Sequence, residues 1–431
     1  MNIKNIYKLI KQRLNWRRKR INNKRVTFST QYFPPDFAAT GQLINELTSS
    51  LAKEEIQVQI FTGMPSYAFN QYHAKRLEFE TNRCIRRTRV SRLWPTRIRG
   101  RAINGILFCI RISIRLMRSS RRGDLVVYTT EPPYLPILGW LIFIFTRTPY
   151  ILILYDLYPD VLVELGVLNE NNILISIWKR LNKFAYDSAK EVIVLSSKMQ
   201  NRVSKTLSID SSKITIIPSW SDPERIFPKE KSDNWFVKKY SLEHKFVVLY
   251  SGNQGRCHDL LTIIDAANCL RDQSEIVFLF IGNGAQNEII KNYSHELSLN
   301  NCVFLPYQDY KDLPSTLASA DLALVTLNSS AEGLVAPSKL YGHLAAATPI
   351  GIISPEGSYL REIVNSNNCG RSFDNGDSIG LADWINFLIN NPSEANKMGK
   401  SGREFLLKYN SKKVIFAKYK ELIVKSIYNK I

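Results

Sequence analysis

The stretch "EGLVAPSKLYGHLAAATPI" (332–350) sets a lone glutamate, Glu332, in a loop and then places Pro-Ser-Lys at the mouth of an alanine-rich helix. Pro337 has the fixed φ that suits a first helical turn, and it lacks only a donor that would be unpaired there. Ser338 or a neighbour can cap the helix. Lys339 then falls in the first turn, where a cation opposes the helix macrodipole. An anion between the lysine and the unpaired amides removes that conflict, and phosphate is the usual such ligand.

Other loops carry compatible chemistry. "GNQGRCHDL" (252–260) offers Gly252 and Gly255 for close backbone approach, Asn253 beside them, and Arg256 for bidentate contacts with phosphate oxygens. "IGNG" (281–284) places Gly282 and Gly284 in another tight turn, and "YQDYKDLPSTLASAD" (307–321) can bring Tyr307 or Gln308 against a planar base. Singly, each has a bland explanation: a turn, a surface ion pair, a solvated loop glutamate. Jointly, features on four successive strand ends point to a cleft that binds a nucleotide diphosphate. In the first half, "QYFPPDFAATGQLINEL" (31–47) has Gly41 opening a helix, and "YDLYPDVLVELG" (155–166) puts Asp156 and Asp160 at a strand end. Capping is the commoner role for such aspartates; their functional reading is the acceptor side of the cleft.

The elements that position these loops follow from hydrophobic periodicity. Runs such as "VTFST" (26–30), "IQVQIF" (56–61), "DLVVYTT" (124–130), "YILILYD" (150–156), "EVIVLS" (191–196) and "ITIIPS" (214–219) read as buried strands separated by helical patterns. After the polar stretch "SDPERIFPKEKSDN" (221–234) the rhythm restarts with "FVVLYSG" (246–252), "IVFLFIG" (276–282), "CVFLP" (302–306), "DLALVTL" (321–327) and "TPIGIIS" (348–354). This predicts an α/β protein of two tandem doubly wound Rossmann-like domains. The boundaries are a basic segment at 1–25, a first domain at 26–222, a second at 223–410 and a terminal helix at 411–431.

With 431 residues, 45% hydrophobic and 22% charged, the chain has ample material for two cores. Six scattered cysteines without paired spacing, and no leader pattern, read as reduced thiols in a cytoplasm. Neither cysteine nor histidine spacing suggests a metal site. The net charge of +20 is concentrated: residues 1–25 hold ten Lys and Arg, and residues 83–122 hold thirteen Arg, with no acid in either. In the second stretch Ile103, Ile106, Leu107, Ile110, Ile114 and Met117 recur at helical spacing beside Arg111, Arg115, Arg118 and Arg122. That pattern favours an anionic membrane surface over nucleic acid, against the alternative of a structural helix with solvated arginines. The apolar run Leu135 to Phe145 is too short to span a bilayer and reads as a buried helix or part of the same monotopic surface.

The segments "YFPPDFAATGQLINEL", "YDLYPD", "IPSWSDPERI", "YSGNQGRCHDLLTIIDAA", "FIGNGAQNEII", "FLPYQDYKDLPSTLASADLALV" and "EGLVAPSKLYGHLAAATPI" occur in an order that resembles the retaining two-domain (GT-B) glycosyltransferases of the group 1, or GT4, family. Enzymes of exopolysaccharide and colanic-acid-type assembly are the most similar. The resemblance covers the chain from Val26 onward. It implies that Gly41 lies beside the donor phosphates and that Arg256 and Lys339 bind the leaving diphosphate. Glu332 would contact donor-sugar hydroxyls, the Tyr307–Gln308 loop the base, and the C-terminal helix the first domain. It also implies retention of configuration. Gly342 departs from the pattern, standing where the family's second glutamate, a ribose partner, is expected, and Glu332 falls two residues early for the first.

The resulting expectation is a cytoplasmic enzyme, peripherally bound to the inner face of the plasma membrane. It would transfer sugar from a nucleotide-diphosphate donor to a lipid-linked or glycan acceptor, with no cofactor, metal or nucleic acid. A nucleotide-sugar epimerase and a non-catalytic membrane-binding relative are the alternatives.

Overall fold

The computed structural model describes Gln12, Trp16 and residues 24–36, 38–65, 74–89 and 98–428. The basic segment at 1–25 therefore lies almost wholly outside the described residues. The first sheet contains β1 (Arg25–Ser29), β2 (Gln57–Gly63), β3 (Leu77–Phe79), β4 (Arg83–Thr88), β5 (Leu125–Thr129), β6 (Tyr150–Leu154), β7 (Glu191–Val194) and β8 (Ile214–Ile216), in the order β3-β4-β2-β1-β5-β6-β7-β8. Only β3 runs antiparallel to its neighbour. The second sheet contains β9 (Phe246–Ser251), β10 (Ile276–Ile281), β11 (Cys302–Leu305), β12 (Leu322–Thr326), β13 (Ile350–Ile353) and β14 (Gly370–Phe373), all parallel, in the order β11-β10-β9-β12-β13-β14. Helices cover both faces of such sheets, which is why the central strands are continuous apolar runs rather than alternating ones. Every residue of β5, β6 and β10 is buried.

The helices that bear on the site and its surroundings are α1 (Ala39–Lys53), α2 (Ile98–Leu116), α3 (Leu135–Thr146), α4 (Ile173–Ser188), α5 (Lys339–Ala345) and α6 (Lys412–Tyr428). All six cysteines are free thiols.

The arginine-rich stretch at 83–122 is not one surface. Its first part forms β4, which pairs with the edge strand β3 just before it in the chain; hydrophobic pattern alone revealed neither strand, and it also missed β14. Arg83 donates to both carboxylate oxygens of Glu80 and to the Asn45 and Ser49 side chains, while Arg86 donates to Gln59 at 3.1 Å. Arg87 pairs with Glu78 and donates to the Pro34 carbonyl at 2.7 Å. These cations close an edge of the sheet and are spent there. The helical part behaves differently. On α2, Phe108, Ile112 and Leu116 face the core, whereas Ile106, Ile110 and Ile114 face solvent. The stripe read from spacing is the outer of two apolar stripes.

The chain crosses between domains twice, and the crossings run side by side. Ser221 N donates to Asn410 O at 3.3 Å, Lys412 N donates to Ser221 O at 2.9 Å, and Lys412 pairs with Asp222 at 2.9 Å. Beyond this point α6 packs Ile415, Phe416, Tyr419 and Ile423 into the first domain's core. Trp220 anchors the crossing. Its ring meets Phe416 edge-on at 5.0 Å, and its indole N–H donates to Glu46 of α1 at 2.8 Å. The other Glu46 oxygen accepts from the hydroxyl of Tyr310, in the second domain, whose ring Arg225 covers at 3.4 Å. Glu46→Ala leaves the buried indole N–H without an acceptor and is expected to cost about 1–3 kcal/mol. A urea midpoint equal to wild type would remove Glu46 from this role.

Candidate active site

The two sheets turn their carboxyl ends toward each other, and main chain joins them: Leu157 N, after β6, donates to Leu334 O at 2.9 Å, and Asp156 bridges Val335. Four loops of the second domain meet on one side of this junction. The ladder runs on past β9 and β10, with Gly252 N donating to Ile281 O at 2.8 Å and Gly282 N to Leu305 O at 3.0 Å. Gly252 and Gly282 hold φ of 134° and 132°. A Cβ on Gly282 would lie 2.0 Å from the Gly252 carbonyl oxygen, and one on Gly284 would lie 2.4 Å from Gln254 main chain. Only glycine permits these turns to stack so closely. Tyr307 fixes the next loop by donating to Asn283 O at 3.0 Å, whereas the Gln308 amide bonds only the local Pro306 carbonyl at 2.8 Å.

Lys339 closes the cluster. Its ammonium donates to the Tyr250 hydroxyl, lies 3.9 Å from the Tyr250 ring centroid and reaches the Asn253 carbonyl at 3.4 Å. A Cβ on Gly252 would meet the Lys339 Cε at 3.5 Å, so the glycine also leaves room for this side chain. Among the described residues no carboxylate pairs with Lys339, and desolvation lowers its pKa to about 7. Buried His258, its Nδ1 2.7 Å from Thr326 O, and buried His343 are both held neutral, with pKa values near about 3, by desolvation and then by Lys339 itself. The site is thus a desolvated cation among neutral groups. Arg256 adds an exposed guanidinium on the same β9 loop, where its main-chain carbonyl accepts from Asn328 at 2.9 Å. Gly255 shapes this loop, since a Cβ there would lie 2.9 Å from the Asn253 amide.

The opening of α5 differs from expectation. Helical geometry begins at Lys339, Ser338 is the N-cap with helical dihedrals and no side-chain cap, and Pro337 is buried one residue outside. The proline therefore shapes the approach to the helix rather than its first turn. Gly342 faces Leu317, whose Cδ1 a Cβ would meet at 2.9 Å. Glu332 follows the single turn Ser329–Ala331, and Gly333 after it takes φ of 71°. Its buried carboxylate oxygens make no well-formed hydrogen bond among the described residues. Burial raises its pKa, offset in part by the nearby Ser358 hydroxyl, the Tyr359 amide and Lys198 of the first domain.

On the first-domain side, Gly41 sits in the first turn of α1, and a Cβ would lie 2.8 Å from the Tyr32 carbonyl oxygen. That contact seats the helix against the loop after β1. Among the described residues no cation pairs with Asp156, and burial raises its pKa to about 6. Beside it, Glu131 was not singled out from sequence, because a glutamate before Pro-Pro reads as a loop residue. Burial first, then the Asp156 charge, raises Glu131 to about 8, against a lowering contribution from the Thr40 hydroxyl. The two carboxyls thus lie at the junction with coupled titrations, Glu131 the weaker acid of the two. Asp160 does not join them: it opens a short helix and pairs with Lys179 of α4 at 2.9 Å, the structural role such aspartates commonly take.

Two family descriptions match this chain in series: "Glycosyltransferase Family 4" over residues 40–225 and "Glycosyl transferases group 1" over residues 231–405. Together they span most of its length, and the chain belongs to the group 1 glycosyltransferases of GT-B fold. It is 28% identical over 292 residues to the probable glycosyltransferase WbjE of Pseudomonas aeruginosa, covering 67% of this chain and 72% of that one. A shorter match, 30% identical over 156 residues, covers 36% of this chain and 38% of the putative colanic acid biosynthesis glycosyl transferase WcaI of Escherichia coli K12. The crystal structure of Anabaena HepE in complex with UDP-glucose superposes with a TM-score of 0.70 at 14% identity, over 94% of this chain and all of that one.

The acid pair has a measurable consequence. Both folded pKa values exceed the ordinary carboxylate range, so the stability these groups confer is complete below about pH 4 and is lost as pH rises toward 8. Glu131→Gln should therefore melt higher than wild type at pH 8.5 (roughly, one unit above neutrality or more) and converge with it at pH 4 or so. Parallel melting curves at both pH values would remove Glu131 from the pair.

Proposed function

We propose that this chain transfers a sugar from a nucleotide-diphosphate donor to a lipid-linked or glycan acceptor, in the assembly of a cell-surface polysaccharide. The observation that carries the reading is Lys339, a desolvated ammonium with no carboxylate partner among the described residues, set where four strand-end loops meet. A dianionic diphosphate supplies the missing counter-charge. The relatives agree in kind: WcaI is a putative colanic acid biosynthesis glycosyl transferase, and HepE was crystallised with UDP-glucose.

In this reading the loops at Gly252–Gly255 and Gly282–Gly284 admit the diphosphate, with Lys339 and Arg256 on its oxygens. As the glycosyl–phosphate bond breaks, negative charge grows on the leaving diphosphate while the sugar becomes oxocarbenium-like. Preorganised cations stabilise that charge without reorganising. Tyr307 lies at the far side of the glycine turns, in position to meet the base, and Glu332 is available to donor-sugar hydroxyls. The acceptor enters from the first domain, where Asp156 and Glu131 offer oxygens to its hydroxyl. Retention of configuration and independence of metal belong to the same proposal. The location is the cytoplasmic face of a membrane, reached through the basic, apolar α2; among the described residues no helix is long and apolar enough to cross a bilayer.

Calorimetric titration with UDP, GDP and ADP, beside Lys339→Ala and Arg256→Ala, tests the site. Binding of one nucleotide is expected to weaken at least about tenfold in each variant, roughly 1.4 kcal/mol or more. Unchanged binding in both would place the anion elsewhere, and release of free nucleotide rather than an isomeric nucleotide sugar separates a transferase from an epimerase. Turnover should persist in EDTA.

The pH dependence has a definite sign. Lys339 is half-charged near pH 7 in the free protein, and a bound diphosphate raises its pKa. Affinity for the nucleotide sugar should be full below pH 7 and fall by up to about tenfold per unit above it. Lys339→Ala should abolish the slope.

A further inference from the structure

Three first-domain helices lie in sequence across the outside of the fold, α2 against α3 and α3 against α4. Gly105 of α2 lets that helix close onto the start of α3, since a Cβ there would lie 2.9 Å from Pro132. Trp140 of α3 stacks on Phe184 of α4 at 5.4 Å and 13°. The outer surfaces are apolar on all three. α2 exposes Ile106, Ile110 and Ile114; α3 exposes Leu141, Ile144 and Phe145; α4 exposes Ile173, Leu174 and Ile177. Phe145 and Ile173 are each 72% exposed and Leu174 64%, so these side chains are not grazing the surface but standing out from it. α3, "LPILGWLIFIFT", holds no charged residue, so its outer face has no polar side to turn to water.

The charge around this face is of one sign where it is strongest. Residues 98–122 carry seven arginines and no acid, Arg147 follows α3 directly, and Arg180 lies on α4. A second copy of the chain docked on this face would bring these cations together. Anionic lipid headgroups complement them, while acyl chains take the apolar side chains between.

The face also leads to the cleft. Tyr134, at the start of α3, stacks on Trp178 of α4 at 5.1 Å, and Trp178 stacks on Tyr158 at 6.5 Å and 9°. Tyr158 lies two residues beyond Asp156. We propose that the outer faces of α2, α3 and α4 form one monotopic surface that inserts into an anionic bilayer, with the Tyr134–Trp178–Tyr158 column linking that surface to the acceptor side of the cleft. This assignment gives α3 and α4 a role that basic residues alone do not, and it rests on the proposed function only for the reason the cleft should face a lipid-linked acceptor.

The test uses the full chain and vesicle flotation with phosphatidylcholine alone or mixed with phosphatidylglycerol. Phe145→Asp and Leu174→Asp replace exposed side chains, so the fold is not at stake, and UDP, GDP and ADP titration verifies the cleft in each. Wild type is expected on the mixed vesicles, with a fraction that persists at high salt. The variants should lose that salt-resistant fraction and partition about tenfold or more less, with nucleotide binding unchanged. Vesicle binding equal to wild type in both variants would overturn the proposal, as would wild type that ignores vesicles and runs as a dimer broken by Phe145→Asp. Loss of nucleotide binding in wild type would sink the transferase reading and leave the flotation result standing by itself.

Discussion

A partly buried lysine ammonium with no carboxylate beside it among the described residues is the constraint around which the second domain's loops are arranged. Lys339 rests on the Tyr250 ring and hydroxyl, next to two buried histidines that its own charge and their desolvation keep neutral. Burying such a cation costs stability unless a counter-charge arrives. The glycine turns at Gly252, Gly282 and Gly284 are what make the arrangement possible, because a Cβ at two of them would strike neighbouring main chain. Cation and turns therefore belong to one device, in the proposed reading a preformed space for an anion, with Arg256 left exposed beside it.

The device is useful only if the other domain is held opposite. Paired crossing segments at Ser221 and Asn410–Lys412, the Trp220–Glu46–Tyr310 contacts and the Leu157–Leu334 main-chain hydrogen bond do this. They set Asp156 and Glu131, two carboxyls whose pKa values burial raises, across the junction from the Lys339 side. In the proposed reading the cation serves the leaving group and the weakly acidic carboxyls the incoming hydroxyl, complementary requirements of glycosyl transfer between two substrates. The first domain's outer helices then bear on where the second substrate can be found.

Much of the fold was legible in the chain because parallel sheets covered on both faces demand continuous β-branched runs. The strands from β5 to β13 stand out for that reason. The strands that were missed failed for physical reasons too. β3 is an edge strand, and β4 beside it, "RCIRRT", carries arginines neutralised by Glu78, Glu80 and main-chain carbonyls, contacts no local pattern foretells. β14, "GRSF", is also an edge strand, with a single fully buried residue. In the site, Lys339 and the glycines were legible from the chemistry of their loops. Glu131 and Tyr250 were not, since one looks like a loop glutamate and the other like a strand tyrosine. Asp160 had the signature of a site residue and proved to be an ion-pair partner of Lys179.

The sequence by itself determined the local terms: which runs become strands, where glycine permits tight turns, and which cations have no nearby acid along the chain. Those properties depend on backbone freedom and hydrophobic period, which neighbours in sequence carry. Only the tertiary structure decided which charges are spent and which remain available. Desolvation and pairing depend on groups far apart in the chain, as Glu131 with Asp156 and Lys339 with Tyr250 show, and so does the turning of one apolar stripe of α2 inward and the other out to solvent.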